Sequence, residues 1–250
     1  MNRDKRGYWK PYEKVQYAPI FQWPANIKKI ASFFFYIPGF FAPWNIFYFL
    51  IAAITWYYLS PSIEQCKNFS LTWMSIVFFR NLGILIVLAG LLHLRLFIFR
   101  SQEDRYQYNS QKLDKTGNKW MFNGQTLDNI FWSCVSGCTI WSIYEVIFLW
   151  AYANDYLPYI DFITNPIWFC IWFVIVLFWR EFHFYITHRI LHFKPIYKYV
   201  HYLHHKNVKV GPWSGLSMHP IEHIIYFSVV LIHCIVPSHP LHFIFNLQHT

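Results

Sequence analysis

Charge is what this sequence has least of. Only 13% of its 250 residues are charged, against 56% hydrophobic and 23% aromatic. Soluble globular domains carry about 25% charged residues, which argues against a soluble body. Disorder is argued against by the aromatics, because disordered chains are poor in them. With 26 Phe, 18 Tyr and 13 Trp, the composition is that of a membrane protein whose aromatics face lipid and anchor at the interfaces. The mean hydropathy of +0.23 is modest because Tyr, Trp and 13 His lower it without adding charge.

Other absences narrow the reading. The basic start MNRDKRGYWKPYEKVQY is followed by no short apolar region and no small-residue cleavage site, so a targeting signal falls to the first uncleaved span. The five cysteines, Cys66, Cys134, Cys138, Cys170 and Cys234, have no CxxC spacing and lie mostly in apolar runs, as free thiols do. No GxGxxG, haem-binding or flavin motif occurs, so any electrons come from a separate reductase chain. The net charge of +9 is spread in blocks between apolar spans rather than along one soluble face, which fits topology and anionic lipid head groups and not nucleic acid.

The apolar runs predict an all-α, polytopic membrane protein of about four spans with a cytosolic, His-rich helical cap. The spans are Trp44 to Ser60, Leu71 to Phe99, Asn129 to Tyr152 and Phe162 to Trp179, the last continuing as a helix through Arg180. Arg80 and Arg95 are expected near the ends of the second span, where long side chains snorkel. The organisation expected is a basic N-terminus over 1–29, a membrane region over 30–187 and a histidine region over 188–250. Residues 1–29 hold seven Lys/Arg against Asp4 and Glu13, and 189–209 hold five basic residues and no acid. The loop around Asp155 and Asp161 has no base. By the positive-inside rule the N-terminus and the histidine region are cytosolic. Glu145 lies inside the third span and is either functional or a buried group of the bundle interior.

Twelve of the 13 histidines fall within 183–250. On a helix His188 and His192 lie one turn apart, about 40° around the axis, so both imidazoles reach one ion. His201 pairs likewise with His204 and His205, which diverge by about 100° and suit two neighbouring ions better than one. His183, five residues before His188, fits a supporting or pocket position as well as a ligand. His219-Pro-Ile-Glu222-His223 matches the HxxEH pattern of inverted zinc proteases. The preferred reading makes His219 and His223 part of a larger histidine site, with Glu222 accepting a hydrogen bond from a ligand imidazole. A histidine-only set does not choose among Fe, Zn, Cu and Ni.

At HRILH (188–192), HYLHH (201–205) and GPWSGLSMHPIEH (211–223) the chain resembles the fatty acid hydroxylase/sterol desaturase superfamily of membrane di-iron oxygenases. That family's boxes are HxxxH, HxxHH and a second, C-terminal HxxHH. The resemblance extends upstream to DNIFW (128–132), TIWSIYEV (139–146) and WAYAN (150–154). It implies an O₂-dependent C–H hydroxylase or desaturase of a sterol, fatty acid or sphingolipid in the endoplasmic reticulum membrane. The implied cofactors are two Fe ions, with Zn an alternative in purified protein, and O₂. Electrons would come from NAD(P)H through a cytochrome b-type donor protein. Carried over by position, the ligands are His188, His192, His201, His204 and His205, with His219 and His223 less secure. The last HxxHH is missing: His233, His239-Pro-Leu-His242 and His249 follow instead, and 224–250 reads as a re-entrant or half-span. The metal site is therefore expected to be C-terminally incomplete. The chain is then a truncated product, a site completed from elsewhere, or a catalytically silent subunit or scaffold of the same fold; a zinc protease is the remaining alternative.

Overall fold

The computed structural model describes residues 2–3, 9–10, 17–102 and 112–250. Asp4, Lys5, Arg6, Glu13 and Lys14, five of the charges used to orient the chain, lie outside the described residues. The architecture is helical; the strand pairing among the described residues is a two-residue ladder of Asn2–Arg3 with Trp9–Lys10.

The chain divides into two compact units, Met1–Ile51 and Ala52–Thr250. In the first, helix α1 (Ile27–Phe35) begins where the Asn26 side chain accepts a hydrogen bond from the Lys29 amide at 3.1 Å. Its Phe34 packs edge to face on Phe40, with ring centroids 5.4 Å apart. Helix α2 (Trp44–Leu59) starts in this unit.

Among the described residues, three helices are long and apolar enough to cross a membrane: α3 (Leu71–Ile98), α4 (Gln125–Ala153) and α5 (Pro166–Leu191). They correspond to the last three expected spans. The first expected span is the shorter apolar helix α2, so the expected number of four spans is not confirmed. The α3–α4 seam is apolar at one end, around Cys66, Trp73, Val77, Val146, Leu149 and Ala153. Further along it is ionic. Arg80 pairs with Glu145 at 2.5 Å, their side chains 6% and 0% exposed, and Asn81 donates to both Ser142 and Glu145. Arg80 thus departs from the snorkelling expected of it: an inward-facing carboxylate on the neighbouring helix outbids the route to water. Helix α4 stops at Asn154 and Asp155, the latter at φ 59°, the left-handed position that commonly ends helices.

Beyond α5, residues 194–205 form the short helix α6, followed by α7 (Pro220–Cys234) and α8 (Pro240–His249). Proline occupies the first turn of α5, α7 and α8, where its missing N–H costs nothing. Helix α7 runs back along α5: Trp179 donates to the Val229 carbonyl and Trp168 to that of Pro237. Helix α8 then returns between α4 and α5, with Phe243 stacked on Phe148 at 4.6 Å and Arg180 donating to the His249 carbonyl. The expected re-entrant over 224–250 is thus a helical hairpin whose second arm is almost wholly buried.

Candidate metal centre

Four histidines converge where α5 meets α6. His188 and His192 come from the last turn of α5 and its cap, His201 and His205 from α6, and their ligating nitrogens all lie within 4.8 Å of one another. The Nε2 atoms of His188 and His192 are 3.1 Å apart, and those of His201 and His205 are 2.9 Å apart. In a tetrahedral site with metal–nitrogen bonds of about 2.05 Å, neighbouring ligand nitrogens stand about 3.3 Å apart, so the donor set fits one metal ion. Helical i,i+4 spacing brings each pair together, and the sharp turn at Phe193-Lys194-Pro195 folds one pair onto the other.

Behind this cluster, His201 Nδ1 meets Glu222 Oε1 at 2.7 Å, and both side chains are buried. His219 caps α7 by accepting from the Ile221 amide, which places Glu222 in the first turn, where the helix dipole favours a carboxylate. Burial, aided by repulsion from His192, holds the His201 imidazole down to about 4. His205 is held at about 4 chiefly by burial and by its histidine neighbours. Burial pushes the Glu222 carboxyl up to about 7, against the pull of His204 and His192. Neutral imidazoles are the form that binds a metal ion.

The remaining candidates stand apart from these four. His204 turns away, its Nδ1 buried without a partner, because on α6 it lies about 100° from His205. His223 has both ring nitrogens engaged, one by the Ser136 hydroxyl at 3.0 Å and the other by the Leu216 carbonyl at 3.1 Å. With His219 capping and Glu222 bonded to His201, the HxxEH residues form no shared ligand group. His183 meets the Ser228 hydroxyl at 3.0 Å. His239 and His242 cap α8, and His242 also bonds the Phe169 carbonyl near the start of α5. Phe169 and His188 are about 28 Å apart along that helix, so the HPLH segment cannot substitute for a ligand box at the cluster. No second group with metal-ligand spacing occurs among the described residues.

Partners that the motifs did not disclose hold the loop after the second box against α4. Lys206 pairs with buried Asp128 at 2.7 Å, Gln125 donates to Asn207 and to the Lys209 carbonyl, and Ser133 donates to the Trp213 carbonyl. Asp128 opens the DNIFW segment, but nothing in its spacing names Lys206. A cavity of about 170 Å³ beside His183 is smaller than small-molecule pockets of roughly 300 Å³ or more. An open apolar groove of about 540 Å³ runs past Tyr185, Arg189, Phe193 and Ile196, and none of the cluster histidines lines it.

The fold and site define a helical protein with helices long and apolar enough to cross a membrane and a histidine cluster of metal-ligand geometry. Residues 173–250 match the model of the fatty acid hydroxylase family. The chain is similar to two proteins of Gibberella zeae. It is 30% identical to Delta(7)-sterol 5(6)-desaturase ERG3B over 81 residues, 31% of this chain and 25% of that protein. It is 37% identical to Delta(7)-sterol 5(6)-desaturase ERG3A over 76 residues, 30% of this chain and 20% of that protein. The matches therefore span only a quarter and a fifth of these relatives' lengths. No solved structure matches the chain. Together the family model and the relatives support a likeness of part of this chain to the fatty acid hydroxylase/sterol desaturase superfamily.

Proposed function

We propose that the protein is a membrane oxidoreductase acting on C–H bonds of a lipid, with a metal held by His188, His192, His201 and His205. The observation that carries this reading is the convergence of four imidazoles at the end of an apolar, membrane-length helix, within the segment that matches the fatty acid hydroxylase family. A histidine-held iron centre, when bound, supplies the oxidising power that O₂ and two electrons from a separate donor protein bring to an unactivated C–H bond. The chain's own residues do the rest. The two helical pairs fix the ligand position, the burial of His201 keeps its imidazole neutral, and the Nδ1–H of that ring donates a hydrogen bond to Glu222. The relatives' names make a sterol the first substrate to test. Localisation to the endoplasmic reticulum membrane with the cluster facing the cytosol completes the proposal, as does an electron-transfer partner.

Purified wild type is expected to carry at least one transition metal per chain and to convert sterol, sphingolipid or fatty acid precursors in a deficient host. His192→Ala is expected to lose both properties. A metal-free, correctly folded wild type would sink the reading. The alternative of a catalytically silent subunit is favoured by one observation, that His204, His219 and His223 are not gathered on a second ion position. It predicts metal binding without any product, whereas turnover of any lipid would eliminate it.

A further inference from the structure

Glu222 is an acidic side chain in a place that disfavours acids. It is 2% exposed, and its buried Oε2 has no hydrogen-bond partner. Burying a carboxylate costs stability unless a specific contact repays it. Its one hydrogen bond is to His201 Nδ1, at 2.7 Å. The opposite nitrogen of the same ring, Nε2, faces the cluster at 2.9 Å from His205 Nε2. Among the described residues, no carboxylate bonds the far nitrogen of His188, His192 or His205 in the same way. His201 is also the one fully buried member of the four, so its ring has the least room to turn and its tautomer the most influence on the cluster.

We infer that Glu222 is the positioning residue of this centre: accepting from Nδ1–H, it fixes the His201 tautomer and ring orientation so that the Nε2 lone pair points into the shared ligand position. A carboxylate behind a ligand imidazole also raises its basicity. The first turn of α7 is thereby coupled to the second histidine box, which explains why an acid sits between His219 and His223 although neither neighbour joins the cluster. The inference rests on the metal reading above, and the experiment keeps the two apart.

The full chain is purified in detergent, stripped with a chelator and titrated with Co(II), following the visible ligand-field bands and competition with a chromophoric chelator. Wild type is expected to bind cobalt with bands of nitrogen ligation. Glu222→Gln is expected to weaken cobalt binding by roughly 10–100-fold and to shift the bands. Ser238→Ala removes an equally buried histidine partner, that of His233, and is expected to leave affinity and bands unchanged. Wild-type binding with an unaltered Glu222→Gln variant overturns the inference and leaves the metal centre standing. A parallel loss in Ser238→Ala overturns it as well, by assigning the effect to general destabilisation. Folded wild type that binds no cobalt overturns the metal reading together with the inference. Should Glu222→Gln not fold, Glu222→Asp gives the same decision: its shorter carboxylate is expected to weaken binding and move the bands, and unchanged values overturn the inference.

Discussion

At the scale of single residues, the difference between two adjacent histidines decides what the site can hold. His205 joins His188, His192 and His201, whereas His204 is rotated about a third of a turn away. The i,i+4 spacings were legible in the sequence, and Glu222 was expected from it as an acceptor beside a ligand imidazole. Which member of the HH pair faces the cluster was not, because it depends on the turn at Pro195 that sets the approach of α6 to α5. The same burial that positions these rings makes stability depend on pH. In the metal-free protein, His201 and His205 are held near 4 against about 6.5 in the unfolded chain. The unfolded state therefore binds more protons between these values, and their contribution, intact above 6.5, is lost as pH falls toward 4. Glu222, raised to about 7, acts oppositely: its contribution is present below about 4.5 and lost as pH rises through 7. Melting curves of the stripped protein in detergent are expected to fall more steeply from pH 6.5 to 4 in Glu222→Gln than in wild type. An identical slope in the two proteins would contradict the opposing assignment.

At the scale of elements, the apolar runs announced α3, α4 and α5, since helical length and lack of charge are one-dimensional properties. Their mutual contacts were not announced. Arg80 and Glu145 each appeared as an isolated charge in a span, and only the packing of α3 against α4 makes them a pair with Asn81 and Ser142 around it. Removing one partner strands a buried charge, so Glu145→Ala is expected to destabilise by about 3–5 kcal/mol. Replacing both at once, with Arg80→Leu and Glu145→Leu, is expected to recover most of that loss in denaturant or thermal unfolding. A double variant no more stable than the single one would show that the seam needs the charges themselves. The histidines of α7 and α8 carry a related lesson. His223, His233, His239 and His242 look like ligands in a count of residue types, yet they bridge helices and cap turns. An imidazole serves these roles because each ring offers two nitrogens for buried hydrogen bonds.

At the scale of the whole molecule, the histidine centre joins α5 and α6 to the first turn of α7, and through the 206–213 loop to α4. Metal binding is thus expected to act on folding as well as chemistry. At a free metal concentration about 100 times the Kd, it should add about 2.7 kcal/mol, seen as a higher Tm that a chelator removes. His192→Ala should abolish that difference. Composition and spacing by themselves determined the helical membrane class, the position of the histidine boxes and the family resemblance, because hydrophobic length and i,i+4 periodicity need no partner to be read. Only the tertiary structure decided which four histidines meet, that Glu222 stands behind His201, that Arg80 has Glu145, and that the HPLH segment lies about 28 Å along α5 from His188. These are distances between segments remote in sequence, set by how helices pack rather than by what any one of them contains.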